Sequence, residues 1–259
     1  MSAPENLSSP VAVLHEGRIA RIVLHDPARR NRISQEMAHA LLAAVEEAAA
    51  DARTGCILLE QRGDVFCSGL DFDELSRSME TEGFERLFHL QPRLSKPLIA
   101  AVRGACAGAG LGLLLQCHFV LAAQGTRFAV SDIHSAVWPA LYYGAMSQAL
   151  GPRRACELAL TGRVFSAADA LSFGLVHEIV PPFELEDRAL QLAAGLAMLS
   201  PAAVASGLVF AAANHQGEHR TARAAELLRE ALQSPDFLES LAAAREHRQP
   251  KWPSLRAHP

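Results

Sequence analysis

The stretch from Pro97 to Ala123 constrains this chain more than any other part of it. It is the most apolar segment, yet Arg103, Gln116 and His118 interrupt it, and Gly and Ala dominate its middle. A membrane span needs about 20 nearly unbroken apolar residues. The stretch therefore reads as a buried strand, Leu98 to Val102, then a glycine-rich segment, Gly104 to Gly112, and a helix. No association with a membrane is expected.

The surroundings fit that reading. Val11 to Leu14 and Ile19 to Leu24 have the composition of two strands around a His15-Glu16-Gly17-Arg18 turn. Ser34 is placed to cap a helix, with Glu36 in its first turn. Met37, Leu41 and Val45 give that helix an apolar stripe. Cys56 to Leu59, Val65 to Cys67, Phe119 to Ala123 and Leu175 to Val180 are the other predicted strands. Strands alternate with helices through the first two thirds, so the class is α/β. After Pro181-Pro182 the pattern is helical, with Pro201 and Pro235 near helix starts and a polar break from Asn214 to His219. The expected division is an α/β core over 1–200 and a helical segment over 201–259. No internal repeat is evident.

Bulk properties exclude several functions. The chain has 259 residues, half of them hydrophobic, enough for one large domain or a domain with a helical appendage. A net charge of -4 argues against nucleic-acid binding, which needs a basic face. The cysteines number five and form no C-x-x-C pair. They read as reduced buried thiols of a cytoplasmic protein rather than as disulfides or a metal site. Met1 to Pro10 is polar and lacks the basic and apolar regions of a signal peptide, so a frayed terminus is expected.

Two segments carry a resemblance to the crotonase (enoyl-CoA hydratase/isomerase) superfamily. One is Asp64-Val65-Phe66-Cys67-Ser68-Gly69-Leu70-Asp71-Phe72, where a strand ends in a small residue, Gly, then x-Asp. The other runs Pro97-Leu98-Ile99-Ala100-Ala101-Val102-Arg103-Gly104, then Ala107-Gly108-Ala109-Gly110-Leu111-Gly112. Leu160-Thr161-Gly162-Arg163, Ala167-Ala168-Asp169-Ala170 and Gly174-Leu175-Val176 come next, in family order. The resemblance spans residues 11 to 210 and implies a spiral of ββα units with a helical C-terminal segment. It also implies a homotrimer or a dimer of trimers, with the C-terminal segment, including a stripe of Ala224, Leu227, Leu228 and Ala231, serving assembly. The implied substrate is an acyl-CoA or acyl-carrier-protein thioester. Coenzyme A or phosphopantetheine enters as part of it, and no separate cofactor or metal is expected.

The implied chemistry suits the residue types. Removing a proton beside a thioester carbonyl puts negative charge on its oxygen, which two aimed backbone N–H groups stabilise. By resemblance, the amides of Ser68 and Ala109 are those donors, with Gly69, Asp71, Gly108, Gly110, Gly112 and Trp138 around the pocket. Relatives usually have Gly where Ala109 stands; a methyl group keeps the N–H unless the turn demands positive φ. Asp71 is expected to position its loop. Close helix packing is the plain alternative for the small residues. G-x-G-x-G at 108–112 is not the dinucleotide spacing, and Cys67-Ser68-Gly69 is not a nucleophile elbow.

Typical enoyl-CoA hydratases carry two glutamates. One falls here on Gly112, and the other on Asp132, which ends Arg127-Phe128-Ala129-Val130-Ser131-Asp132. Simple hydration by two carboxylates is thus disfavoured, whereas one carboxylate still serves dehydration or double-bond isomerisation. Asp132 is the expected acid/base, a helix cap being the alternative. His118, His134, Tyr142 and Tyr143 lie close in sequence, and His134 is the best candidate for a second polar group, with a hydrogen-bonded structural histidine as the favoured alternative. A closer likeness is to the dehydratases of polyketide β-branching, which act on a 3-hydroxy-3-methylglutaryl group on a carrier protein. It rests on Val65 to Glu74, Ser131-Asp132-Ile133, Trp138-Pro139-Ala140 and Gln249-Pro250-Lys251-Trp252. The expected function is a lyase dehydrating a 3-hydroxyacyl thioester or hydrating the enoyl form. Isomerase, decarboxylase, hydrolase and a silent thioester-binding protein remain alternatives. A dehalogenase is not expected, because its nucleophilic Asp falls on Ala140.

Overall fold

Three successive strand pairs part company at a tight turn, and that separation builds the molecule. The computed structural model describes residues 9–78, 80–214 and 234–255. In chain order the elements are β1 Val11–Glu16, β2 Ile19–Leu24, α1 Gln35–Ala50, β3 Cys56–Gln61, β4 Val65–Cys67, α2 Phe72–Ser78, α3 Glu82–Leu87, β5 Leu98–Val102 and β6 Ala105–Ala107. Then come α4 Ala109–Leu114, β7 Phe119–Ala123, β8 Arg127–Ala129, α5 Ala140–Leu150, α6 Pro152–Thr161, β9 Val164–Ser166, α7 Ala167–Phe173, β10 Glu178–Val180, α8 Leu185–Ala197, α9 Pro201–Asn214 and α10 Pro235–Arg245. The first strand of each pair joins a six-stranded sheet, β1-β2-β3-β5-β7-β10, and the second joins a four-stranded sheet, β4-β6-β8-β9. The three turns between them each hold a glycine at positive φ: Gly63, Gly104 and Gly125. At Gly104 a methyl group would come 1.8 Å from the Asp64 carbonyl oxygen, so no side chain fits.

In the large sheet β1 and β2 are antiparallel, and β2, β3, β5, β7 and β10 run parallel. Its inner strands are covered on both faces and alternate between two cores. β3 sends Ile57 and Leu59 to the larger core, which includes α1 and the small sheet. It sends Cys56 and Leu58 to the smaller one, under Leu185, Ala189, Ala193 and Ala197 of α8. That i+4 spacing makes a helix stripe against the sheet. As expected, the Ser34 hydroxyl accepts from the Met37 amide at 3.1 Å, and Met37, Leu41 and Val45 are buried.

Pro97–Ala123 becomes β5, β6, α4 and β7, one strand more than predicted. The strand predicted over Leu175–Val180 is limited to Glu178–Val180. The amides of Leu175 and Val176 instead bond back to the Ala170 carbonyl and close α7. Both side chains are buried, which is why the run is apolar. The five cysteines are free thiols, four of them buried.

α8 and α9 meet at 102°, so the chain turns away from the sheet there. Helices start at Pro201 and Pro235, and the Trp252 indole N–H ties the tail back to the Met198 carbonyl at 2.7 Å. No single helix among the described residues is long and apolar enough to cross a membrane. The stripe Ala224, Leu227, Leu228 and Ala231, most of the polar break up to His219, and the part of the expected frayed terminus before Ser9 lie outside the described residues.

Candidate active site

β4, β6 and β8 are parallel neighbours in the small sheet. Their carboxyl ends therefore leave the sheet at one edge. β4 runs into Ser68-Gly69, β6 into Gly108-Ala109, and β8 into a 3-10 turn, Ser131–Ser135, that carries Asp132. Three segments far apart in sequence meet around a cavity of about 250 Å³. Its lining includes Arg32, Ser68, Gly69, Phe72, Asp73, Gly108, Ser131, Asp132 and Ser135.

The two small-residue turns pack backbone to backbone. A methyl group on Gly108 would lie 3.4 Å from Gly69 Cα and 3.2 Å from Asp132 Oδ2. Gly108 has φ 53° and ψ -126°, a conformation suited to glycine. Ala109 is not among the positive-φ residues, so its methyl group costs the turn nothing. The amides of Ser68 and Ala109 donate to no acceptor among the described residues. The Ser68 hydroxyl is likewise buried without a partner there. Unpartnered donors are uncommon in a folded interior.

Asp132 is 4% exposed. The Tyr142 hydroxyl donates to its Oδ2 at 2.5 Å. Burial pushes the Asp132 carboxyl above the usual carboxylate range, and the hydrogen bond from Tyr142 partly opposes that rise. Tyr142 is itself buried and held well above its ordinary value, by burial first and then by the neighbouring carboxylate. The sequence names it among four polar residues near Asp132 but prefers His134 over it.

The space beside Gly112 is filled. A methyl group there would lie 2.7 Å from the Phe88 ring and 3.1 Å from Tyr142 Cβ. Phe88 and Tyr142 rings sit 5.9 Å apart, so hydrocarbon occupies the place of the second carboxylate. Gly110 is also a packing position, where a methyl group would meet Cys67 Cβ at 2.9 Å. Gly69 and Gly108 are among the residues that line the cavity, whereas Ala109, Gly110 and Gly112 are buried beside it and are not.

Three other expectations are corrected. His134 does not turn toward the cavity: its Nε2 sits 3.1 Å from the Gly162 carbonyl oxygen. Trp138 is 39% exposed and packs on Tyr143, with ring centroids 5.1 Å apart. Asp71 borders a neighbouring groove rather than the cavity, but it does position its loop as expected, accepting from the Glu74 amide at 3.1 Å at the start of α2. Arg32, Phe72, Asp73 and Ser135 are cavity residues that the sequence did not single out. Only Ser135 had a local signal, being three residues from Asp132 in a 3-10 turn, where i and i+3 share a face.

Paired strands feeding two sheets, with adjacent strand ends framing the cavity, define the crotonase class of fold. Among solved structures, the enoyl-CoA hydratase of Bacillus anthracis superposes with a TM-score of 0.88 at 26% identity, over 95% of this chain and 100% of that one. The enoyl-CoA hydratase/isomerase family matches residues 15–255, and the chain belongs to that family. Enoyl-CoA hydratase domain-containing protein 3 (mitochondrial) of Danio rerio is 30% identical over 256 residues, covering 95% of this chain and 88% of that one. The hydroxycinnamoyl-CoA hydratase-lyase of Pseudomonas fluorescens is 28% identical over 213 residues, 78% of this chain and 77% of that one. The chain is thus an enoyl-CoA hydratase-like enzyme.

Proposed function

We propose that this enzyme interconverts 3-hydroxyacyl and enoyl thioesters through one carboxylate, Asp132, with the enolate oxygen held by the amides of Ser68 and Ala109. The carrying observation is the buried Asp132 at the edge where two unpartnered turn amides also end. In dehydration the Asp132 carboxylate takes the Cα proton, and the C–H electron pair moves into the thioester as an enolate. The two N–H groups stabilise the new negative oxygen. The protonated Asp132 then passes that proton to the β-hydroxyl. The enolate electrons form the Cα=Cβ bond, water leaves, and the carboxylate is restored. Hydration is the reverse. Proton and electrons are accounted for without a cofactor. A carboxyl raised by burial donates near neutral pH more readily than an ordinary one.

The finer reading is a 3-hydroxy-3-methylglutaryl group on a carrier protein, in polyketide β-branching. Arg32 on the cavity wall, paired only loosely with Asp71 at 3.9 Å and sharing the wall with Asp73, is the cation that supports a substrate with a negative group. The proposed assembly is a trimer or a dimer of trimers, on the basis of large exposed apolar side chains such as Phe183, at 83% exposure, and Leu238, at 59%. A light-scattering mass equal to one chain overturns that assembly.

The reaction is tested by mass spectrometry on a panel of acyl-CoA and acyl-carrier-protein thioesters, watching for loss or gain of water. The expected result is a mass change of one water with at least one 3-hydroxyacyl or enoyl thioester. In Asp132→Asn the rate should fall on the order of a hundredfold or more, with thioester binding retained. Near-normal turnover in Asp132→Asn overturns the assignment. A double-bond shift without change of mass identifies an isomerase instead.

A further inference from the structure

A second cleft lies at the entry ends of the large sheet, away from the cavity described above. Arg18 precedes β2, Thr54 and Gly55 precede β3, and Ser95 and Lys96 precede β5. The cleft opens at the corner where α8 gives way to α9, and encloses about 480 Å³. Ala49, Leu196, Leu199, Pro201, Val204 and Leu255 make most of its wall apolar. It shares no lining residue with the Asp132 cavity.

Its polar end is unusual. Arg18 Nε is buried and has no hydrogen-bond partner among the described residues. The guanidinium is held against the backbone, so that a methyl group on Gly55 would lie 2.9 Å from Arg18 Nη2. Lys96 stands beside it and donates to the carbonyls of Ala48 and Asp51 at the end of α1. Those two bonds leave one of its three donors over. Lys96 is held below its ordinary value by burial, with a smaller push from Arg18 against the pull of Asp51. The Asp51 carboxylate is engaged by Arg53 at 3.0 Å. Two cations thus share one apolar cleft, and the carboxylate nearby is already taken. Part-buried guanidinium donors without acceptors cost stability, which an anion in the cleft would restore.

We infer that this cleft binds an organic carboxylate with an aliphatic chain, the head on Arg18 beside Lys96 and the chain along the apolar wall. A carboxylate matches the guanidinium fork with two parallel hydrogen bonds. The ligand touches the base of the sheet and the first turn of α9 together. Binding therefore fixes how the C-terminal helices leave the core.

The test uses the full chain with octanoate and, separately, inorganic phosphate in isothermal titration calorimetry. Octanoate should bind with one equivalent per chain. Arg18→Met removes the fork and keeps the length, and Ala202→Phe narrows the cleft from an exposed position of α9. Each should weaken octanoate by about tenfold or more. Ser135→Trp, which fills the Asp132 cavity from an exposed position, should bind octanoate as the unaltered chain does. Octanoate affinity unchanged in both Arg18→Met and Ala202→Phe overturns the inference. So does affinity lost in Ser135→Trp, which places octanoate in the other cavity. No heat at millimolar octanoate overturns it as well, and so does phosphate binding without octanoate binding, since the apolar wall then plays no part.

Discussion

The two sheets are made from the same strand pairs but differ in what they contribute. In the large sheet β1, β2 and β3 run six residues, and β5 and β7 run five. β5 is buried at every position. In the small sheet β4, β6, β8 and β9 run only three residues each. A strand that short makes few ladder bonds and depends on its flanks. Its use is to aim the residues just beyond its end: Ser68 after β4, Ala109 after β6, Asp132 after β8. The large sheet holds most of the stability, and the small sheet sets the geometry of the cavity. Substitutions should separate the two.

The largest expected effect is on the large sheet. Ile57 is fully buried in β3, and Ile57→Ala should cost about 2–5 kcal/mol in urea unfolding. Turnover per folded molecule should hold. A loss of turnover beyond the unfolded fraction would break the separation.

Asp132→Asn should show the opposite pattern, a large loss of rate with a gain in stability. The folded carboxyl titrates above the ordinary carboxylate range. Between the unfolded and folded values the folded chain therefore binds more protons, so stability falls as pH rises through that window. The full cost is present at neutral pH if that lies above the window. The Asn variant lacks it and should melt higher there. The difference should shrink as pH falls below the ordinary carboxylate range. A melting temperature below that of the unaltered chain at neutral pH contradicts this.

Tyr142→Phe should act less strongly on rate and more on its pH dependence. Tyr142 holds the Asp132 carboxyl down by donating to it. Without that hydrogen bond Asp132 rises further, so the acid limb of kcat/KM should move to higher pH. An unmoved limb would show that Asp132 does not set it. The smallest effect is expected at Ser34, where Ser34→Ala removes the cap of α1 for about 1 kcal/mol and leaves the rate alone.

The same division separates the parts of the molecule that are legible in the sequence from those that are not. β2 and β4, and the positions of β3, β5 and β7, are read from apolar runs and their flanking turns. β6 and β9 escape because three residues show no period and, unlike Val65-Phe66-Cys67 of β4, Ala105-Cys106-Ala107 and Val164-Phe165-Ser166 are small or end polar, and β8 is visible only through the family pattern around Asp132. The ββα repeat is hidden too, since its recurring mark is only Arg62-Gly63, Arg103-Gly104 and Gln124-Gly125. At the cavity, Ser68, Gly69 and Gly108 are legible because close backbone approach demands small residues in fixed blocks, and Asp132 through the pattern that ends β8. His134 misleads because sequence nearness is not spatial nearness. In a 3-10 turn residues two apart point about 240° from one another. Tyr142 is ten residues on, brought back by the start of α5, and no local pattern announces it.

Phe88 beside Gly112 has a consequence for how this chain changes by mutation. A glutamate introduced at 112 alone meets a ring at 2.7 Å from its first side-chain atom. Trimming Phe88 alone opens a void in the core, at roughly 3–5 kcal/mol for Phe→Ala. Each step is harmful by itself, and the pair relieves the Phe88 clash while leaving Tyr142 Cβ 3.1 Å away. The two positions are therefore epistatic. Whichever substitution comes first, a route of single steps to a second carboxylate passes through an intermediate that is either overpacked or hollowed at this point of the core.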